Sequence, residues 1–201
     1  MTSKLIVNSL RHTGASADAI TMDASGNVTF PGNATCSGTP SGFGGITMAD
    51  IWRVTAQFNS NAGYTYLTSN WERADTGNSG QIGTGMTESS GVFTYPSTGV
   101  YLVQYGAWGN TNSSSAHTVG INIQSTVDNG SNYTFVAGRY FSIPNISTYN
   151  YGGGTCQHIF DVTDVSTHKS RMVTYSSSSV TWEASTSGNN VYVSFIRLGD
   201  T

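Results

Sequence analysis

Charge is scarce in this chain: 201 residues carry 8 Lys and Arg against 11 Asp and Glu, a formal net charge of −3. The cations are scattered, and without a basic run to follow a phosphate backbone, nucleic-acid binding is disfavoured. Leucine occurs five times and the other strong helix formers are thin, which argues against a helical body. Cysteine is limited to Cys36 and Cys156, with no CxxC or CxxH spacing. Neither a zinc site nor a redox pair is signalled, and two free thiols in a reducing compartment are expected. No apolar run approaches the roughly 18 to 20 residues of a membrane-spanning helix. The N-terminal MTSKLIVNSLRH lacks the apolar core of a signal peptide, so the chain reads as soluble and cytoplasmically made.

What is abundant points to β-structure. Ser, Thr, Asn and Gly supply 95 of the 201 residues, and Tyr, Phe and Trp supply 23. Such a mixture favours strands and tight turns, and aromatics spread along the chain provide the volume for a real core. Residues 1–33 read as an N-terminal arm, because LIVNSL is a short apolar strand pattern and Ile20 to Phe30 places a strand on each side of a turn at Asp23 to Asn27. Residues 34–47, rich in Gly, Ser, Thr and Pro, read as a linker, and 48–201 as the body. So small an arm cannot bury its own apolar side chains. Leu5, Val7, Leu10, Ile20, Val28 and Phe30 are therefore the candidates for anchoring it to another protein.

About ten short strands are expected in the body, separated by turn signals, which is the density of a sandwich. Strand candidates cover 51–58, 64–70, 92–96, 100–108, 118–125, 133–141, 156–162, 170–175, 180–184 and 191–198. Residues 118–125 alternate, with Val119, Ile121 and Ile123 inward and Asn122 and Gln124 outward. Two strands break the alternation. GVYLVQYGAW is apolar on both faces, and the closing VYVSFIRL sets Val191, Val193 and Phe195 on one face against Tyr192, Ile196 and Leu198 on the other. A sandwich core absorbs only one face of a strand, so the other is expected to pack on further copies of the chain. Tyr101, Leu102, Val103, Tyr105, Trp108, Tyr192, Ile196 and Leu198 are the interface candidates.

No chemistry-bearing constellation competes with this structural reading. Glu72, Glu88 and Glu183 are dispersed, Asp161 and Asp164 suit a solvated strand end, and a glycosidase would need two carboxylates at a set separation. His12, His117, His158 and His168 lack ligand spacing, and His158 alternates with Cys156, Phe160 and Val162 as a core or interface residue. Asp128-Asn129-Gly130 reads as a hairpin turn, with a calcium site as the alternative. Asn-x-Ser/Thr triplets, among them those at Asn27, Asn33, Asn112, Asn132 and Asn145, follow from composition, and without a secretory signal they are expected to carry no glycans. The tyrosine excess mostly fills core or interface, with sugar stacking as the alternative. No catalytic residue, metal or cofactor is expected, and the chain is read as non-enzymatic.

The segment Gly91-Val92-Phe93-Thr94-Tyr95-Pro96-Ser97-Thr98-Gly99-Val100-Tyr101 resembles a signature of the C1q and tumour-necrosis-factor-like jelly roll, where an aromatic strand passes through Pro and Gly into a Tyr-rich aliphatic strand. The closing strand at 191–198 matches that family's last strand. The resemblance implies a jelly-roll knob and a compact homotrimer. There is no collagenous Gly-X-Y stalk. The arm resembles N-terminal segments of bacteriophage virion proteins. Taken together, the two resemblances imply a structural phage protein on the virion surface: a homotrimeric head decoration or cement protein held to the major capsid protein, or another virion protein, by its arm. Few residues precede the body to form a shaft, which favours decoration over the alternative, a tail-fibre or spike tip binding a host surface glycan.

Overall fold

A computed structural model describes residues 7–32, 45–112 and 115–201. By its internal contacts the chain divides into two compact units, Met1–Gly45 and Ile46–Thr201. Leu5 and Cys36 lie outside the described residues, as does most of the segment read as linker.

The first unit holds a three-stranded antiparallel sheet of β1 (Ser9–Leu10), β2 (Ile20–Met22) and β3 (Val28–Thr29). Asp23 builds the β2–β3 turn, its carboxylate accepting the backbone N–H groups of Ser25 and Asn27, both at 2.9 Å. Val7 and Ile20 are half-buried, whereas Leu10, Val28 and Phe30 are left 46%, 50% and 42% exposed. Three short strands cannot enclose them.

The second unit contains β4 (Ala49–Val54), β5 (Phe58–Ser60), β6 (Gly63–Tyr66), β7 (Trp71–Arg73), β8 (Thr87–Ser89), β9 (Val92–Thr94), β10 (Gly99–Asn112), β11 (Ala116–Thr126), β12 (Thr134–Ile143), β13 (Tyr149–Val162), β14 (Lys169–Ser176), β15 (Val180–Trp182) and β16 (Val191–Gly199). Every expected strand is present. Expected residues 51–58 divide into β4 and β5, while β7 and β8 are additional, and β13 starts seven residues before its expected beginning at Cys156. One sheet runs β5-β15-β10-β16-β4-β7, with β13 on the remaining edge of β10; the other runs β12-β11-β14-β9-β8, with β6 also on β14. From β9 to β11, and again from β12 to β14, the chain crosses from sheet to sheet and back, which closes the sandwich over one core.

The core is aromatic at one end. The Phe93 ring packs against Trp52, Trp71 and Phe195, and Tyr95 against Tyr101, Phe160 and Phe195, all at centroid separations of 4.7 to 6.0 Å. The Tyr95 hydroxyl shares a 2.7 Å hydrogen bond with Ser170 Oγ, and Tyr101 donates to the Ser97 carbonyl at 2.9 Å, tying strand β10 to the turn that leads into it. Ile121, Ile123, Val193 and Trp182 continue the core, fully buried.

Three interface candidates change place. Tyr101, Val103 and Tyr105 have no exposed surface in the single chain, because their side of β10 faces the second sheet. Nothing of them remains for another copy to touch. Burial also drives the Tyr105 hydroxyl far above its ordinary pKa and leaves it without a hydrogen-bond partner. An unpaired buried hydroxyl is costly, so Tyr105→Phe is expected to raise stability by about 1 kcal/mol. Urea unfolding of the two proteins checks this, and a destabilised variant would refute it.

Candidate oligomerisation face

The outer face of the β10 sheet collects what the core leaves over. Strand pairing sets its residues in rows. Ile159, Leu102, Ile196 and Ala49 lie side by side on β13, β10, β16 and β4, and the next row holds Gln157, Gln104, Ser194 and Ile51. A third row carries Thr155, Gly106, Tyr192 and Arg53, and beyond it Gly153 pairs with Trp108.

Glycine shapes the far end of this face. A Cβ on Gly106 would lie 2.6 Å from the Tyr192 ring, so the ring rests directly on the β10 backbone. Trp108 stands beside Gly153 and meets Tyr151 at a centroid distance of 5.3 Å. Between them is a shallow depression of about 250 Å³ lined by Gly106, Trp108, Gly153, Thr155, Asn190 and Tyr192.

Ile159 is 58% exposed, Leu198 53% and Trp108 37%, while Leu102, Tyr192 and Ile196 are half-buried. Leu198 sits where the β10–β16 register slips by one residue and has no counterpart on β10. Five of the eight interface candidates thus share one open surface. The sequence reading missed Ile159 and Tyr151, although Ile159 alternates with His158 and Phe160 and so had to point away from them.

Charge stays at the margins of the stripe. Arg53 is buried and held by Glu72 at 2.7 Å, Asp75 at 2.6 Å and Thr76 at 2.7 Å. Asp161 faces Val100 at the other end. The central rows carry no ionisable side chain, so they can be covered without stranding a charge.

The other residues of interest are separated and locally occupied. Glu72 serves Arg53, Glu88 accepts the Gly91 N–H at 2.6 Å, and Glu183 bonds Asn110 and Gln57. Asp128 accepts Thr126 Oγ1 at 2.6 Å and the Asn132 N–H at 2.9 Å, which lowers its pKa to about 2 and makes it the organiser of the β11–β12 turn. His158 is partly buried 5.7 Å from Phe160, and burial lowers its pKa. His168 packs on Phe160 from 5.5 Å, with Thr163 and Thr167 hydroxyls on its ring nitrogens. Burial raises the Cys156 thiol to about 12, so it is un-ionised near neutrality.

The architecture matches solved structures. Murine APRIL at pH 5.0 superposes with a TM-score of 0.54 at 12% identity, over 75% of this chain and 98% of that one. Eiger TNF from S. frugiperda gives 0.54 at 12% identity, over 78% and 95%. The body has a TNF-like jelly-roll fold. No family model and no curated protein sequence matches the chain. In this TNF-like body the stripe lies on the sheet that contains the closing strand β16, on the side turned away from the core.

Proposed function

We propose that the protein is a non-enzymatic structural component of a bacteriophage virion, a homotrimeric decoration or cement protein whose body trimerises through the outer face of the β10 sheet. The carrying observation is the row Ile159–Leu102–Ile196, an aliphatic stripe without ionisable groups on a surface the monomer leaves open. Covering a large aliphatic side chain is worth about 1.5 to 3 kcal/mol, and three-fold closure repeats the gain at each contact. The C1q and TNF-like resemblance of residues 91–101 supports three-fold rather than two-fold closure.

The arm is the anchor in this reading. Leu10, Val28 and Phe30 are open in its small sheet and become buried on the major capsid protein or another virion protein. A trimer that binds only the assembled shell adds its binding free energy to that state and raises shell stability by linkage.

Deleting residues 1–33 is expected to abolish incorporation into particles while leaving a soluble trimer. Co-sedimentation with particles and light scattering of the truncated protein check both halves. A monomeric product would place the trimer contacts in the arm. Electron microscopy of particles labelled at the C-terminus tests location, and label confined to the tail would overturn decoration in favour of a fibre tip.

A further inference from the structure

The opposite sheet carries a second organised surface. On its outer face, three rows of side chains run across β12, β11, β14 and, in the first two rows, β6. The first is Tyr140, Gly120, Tyr175 and Tyr64, the second Gly138, Asn122, Val173 and Tyr66, and the third Phe135, Gln124 and Arg171. Tyr64, Tyr66, Phe135 and Tyr140 are each exposed. From these rows and the contacts within them, we infer that this face binds a neutral glycan built of hexopyranose units.

Two glycines make room for rings on this surface. A Cβ on Gly120 would come within 2.6 Å of the Tyr140 ring, and one on Gly138 within 2.6 Å of Phe135 Cζ. Both rings therefore lie along the sheet rather than standing up from it. Tyr175 joins them, with its centroid 5.0 Å from Tyr64 and 6.2 Å from Tyr140. Tyr175 is inclined at 56° to Tyr64 and 67° to Tyr140, so the surface is ridged rather than flat, and the exposed Phe135 and Tyr64 rings are the ones that offer faces to the C–H side of a pyranose ring.

At its centre lies an unmet polar demand. Asn122 is fully buried on the outward side of β11, and neither its amide nitrogen nor its amide oxygen has a hydrogen-bond partner. The Tyr140 hydroxyl interacts with that amide without closing a bond of ordinary length and angle. A buried donor and acceptor without partners cost a fold stability, and apolar neighbours would serve packing better. Two adjacent sugar hydroxyls, each able to donate and accept, supply both missing bonds once the exposed Tyr140 ring rotates aside.

Charge on the face selects for a neutral partner. The three rows carry no carboxylate, and their one cation is already engaged. The Arg171 guanidinium sits 3.7 Å from the Tyr133 ring and 4.4 Å from the Tyr66 ring, and its Nε donates to Gln124 at 2.9 Å. It acts as a fixed rim holding Tyr66, rather than as a site for an acidic sugar.

The inference goes beyond the proposed assembly and does not depend on it, because the two surfaces lie on opposite sheets. An array of neutral hexopyranose oligosaccharides of bacterial surface type, probed with the full chain, should give saturable binding, and the same printing should carry polysialic acid and a decaproline peptide. Tyr64→Ala and Phe135→Ala should each weaken binding by about tenfold or more, a loss of about 1.4 kcal/mol, whereas Ile146→Ala, at an exposed residue of the β12–β13 loop outside both surfaces, should leave it unchanged. Asn122→Leu is the decisive variant. It should lose binding to the same degree while melting at or above the wild-type temperature, because an apolar isostere removes the unpaired amide. No binding to any neutral glycan, binding to decaproline or polysialic acid instead, or an Asn122→Leu protein that binds normally would each overturn the proposal. The oligomeric state, read by light scattering on the same samples, reports separately on the β10 face.

Discussion

In the proposed trimer, Ile159→Asp is expected to convert the protein from a particle of three times the 21.3 kDa chain mass to one of a single chain mass in multi-angle light scattering. Ile159 sits in register with Leu102 on β10, which pairs in turn with Ile196 on β16. In a closed trimer each copy of this residue is covered by a neighbour. The substitution removes about 1.5 to 3 kcal/mol of apolar burial per contact. It also places a carboxylate in a contact whose own central rows, Ile159–Leu102–Ile196 and Gln157–Gln104–Ser194, carry no cation, and an unpaired buried charge costs several kcal/mol more. Because three contacts close the ring, the penalty is incurred three times.

The same change should barely affect the fold of the single chain. Ile159 is 58% exposed there, and substitutions at such positions usually alter stability by about 0.5 kcal/mol or less. The variant should therefore keep the wild-type far-ultraviolet circular dichroism and lose only the concentration dependence of its melting temperature. Val127→Asp, at an exposed apolar residue beyond the end of β11, is the matched control and should remain trimeric. A wild-type protein that is already monomeric at micromolar concentrations, or an Ile159→Asp protein of unchanged mass, would refute the assignment of the stripe to subunit contact.

The alternation of β10 was legible in the residues, and its orientation was not. Tyr101, Val103 and Tyr105 form one apolar set and Leu102 with Trp108 another, so either could face the core on periodicity alone. Pairing with β13 and β16 decides the matter, since it aligns Tyr101 with Phe160 and Val103 with Phe195 on the buried side. The start of β13 was hidden for a related reason. Gly152, Gly153 and Gly154 lower strand propensity, yet the full-length partner strand supplies the hydrogen bonds, and the missing side chains make room for Phe141, Trp108 and Arg139. Strands of three residues such as β7 and β8 are too short for a period to register. Asn122 and Gln124 were correctly placed outward, but the ring-covered surface around Asn122 depends on cross-strand neighbours drawn from β6, β12 and β14. Those neighbours are up to 111 positions apart in the sequence, from Tyr64 to Tyr175.

Asp50→Ala is expected to cost about 2 to 4 kcal/mol in urea unfolding, because it leaves two N–H donors inside the fold without their charged acceptor. The Asp50 side chain is fully enclosed and accepts four hydrogen bonds: from Arg73 Nε at 2.9 Å, Arg73 Nη2 at 3.1 Å, Trp52 Nε1 at 2.9 Å and the Met86 backbone N–H at 2.7 Å. Arg73 also donates to the Met86 carbonyl at 2.7 Å and lies 4.8 Å from the Trp52 ring. One carboxylate thereby fastens β4 to β7 and to the segment that enters β8. Alanine leaves the Trp52 and Met86 N–H groups unpaired and the partly exposed Arg73 guanidinium without its partner, and a domain with about 5 to 15 kcal/mol of total stability loses a large part of it. Arg73→Ala should cost a similar amount, and the double variant much less than the sum, because the second change removes the charge that the first left unpaired. The exposed pair of Arg197 and Asp200 supplies the contrast: Asp200 is almost wholly in solvent, and Asp200→Ala should change stability by less than about 1 kcal/mol. If Asp50→Ala and Asp200→Ala proved equally mild, the Asp50 carboxylate would not be the clasp that holds edge strand β7 and the entry to β8 onto β4.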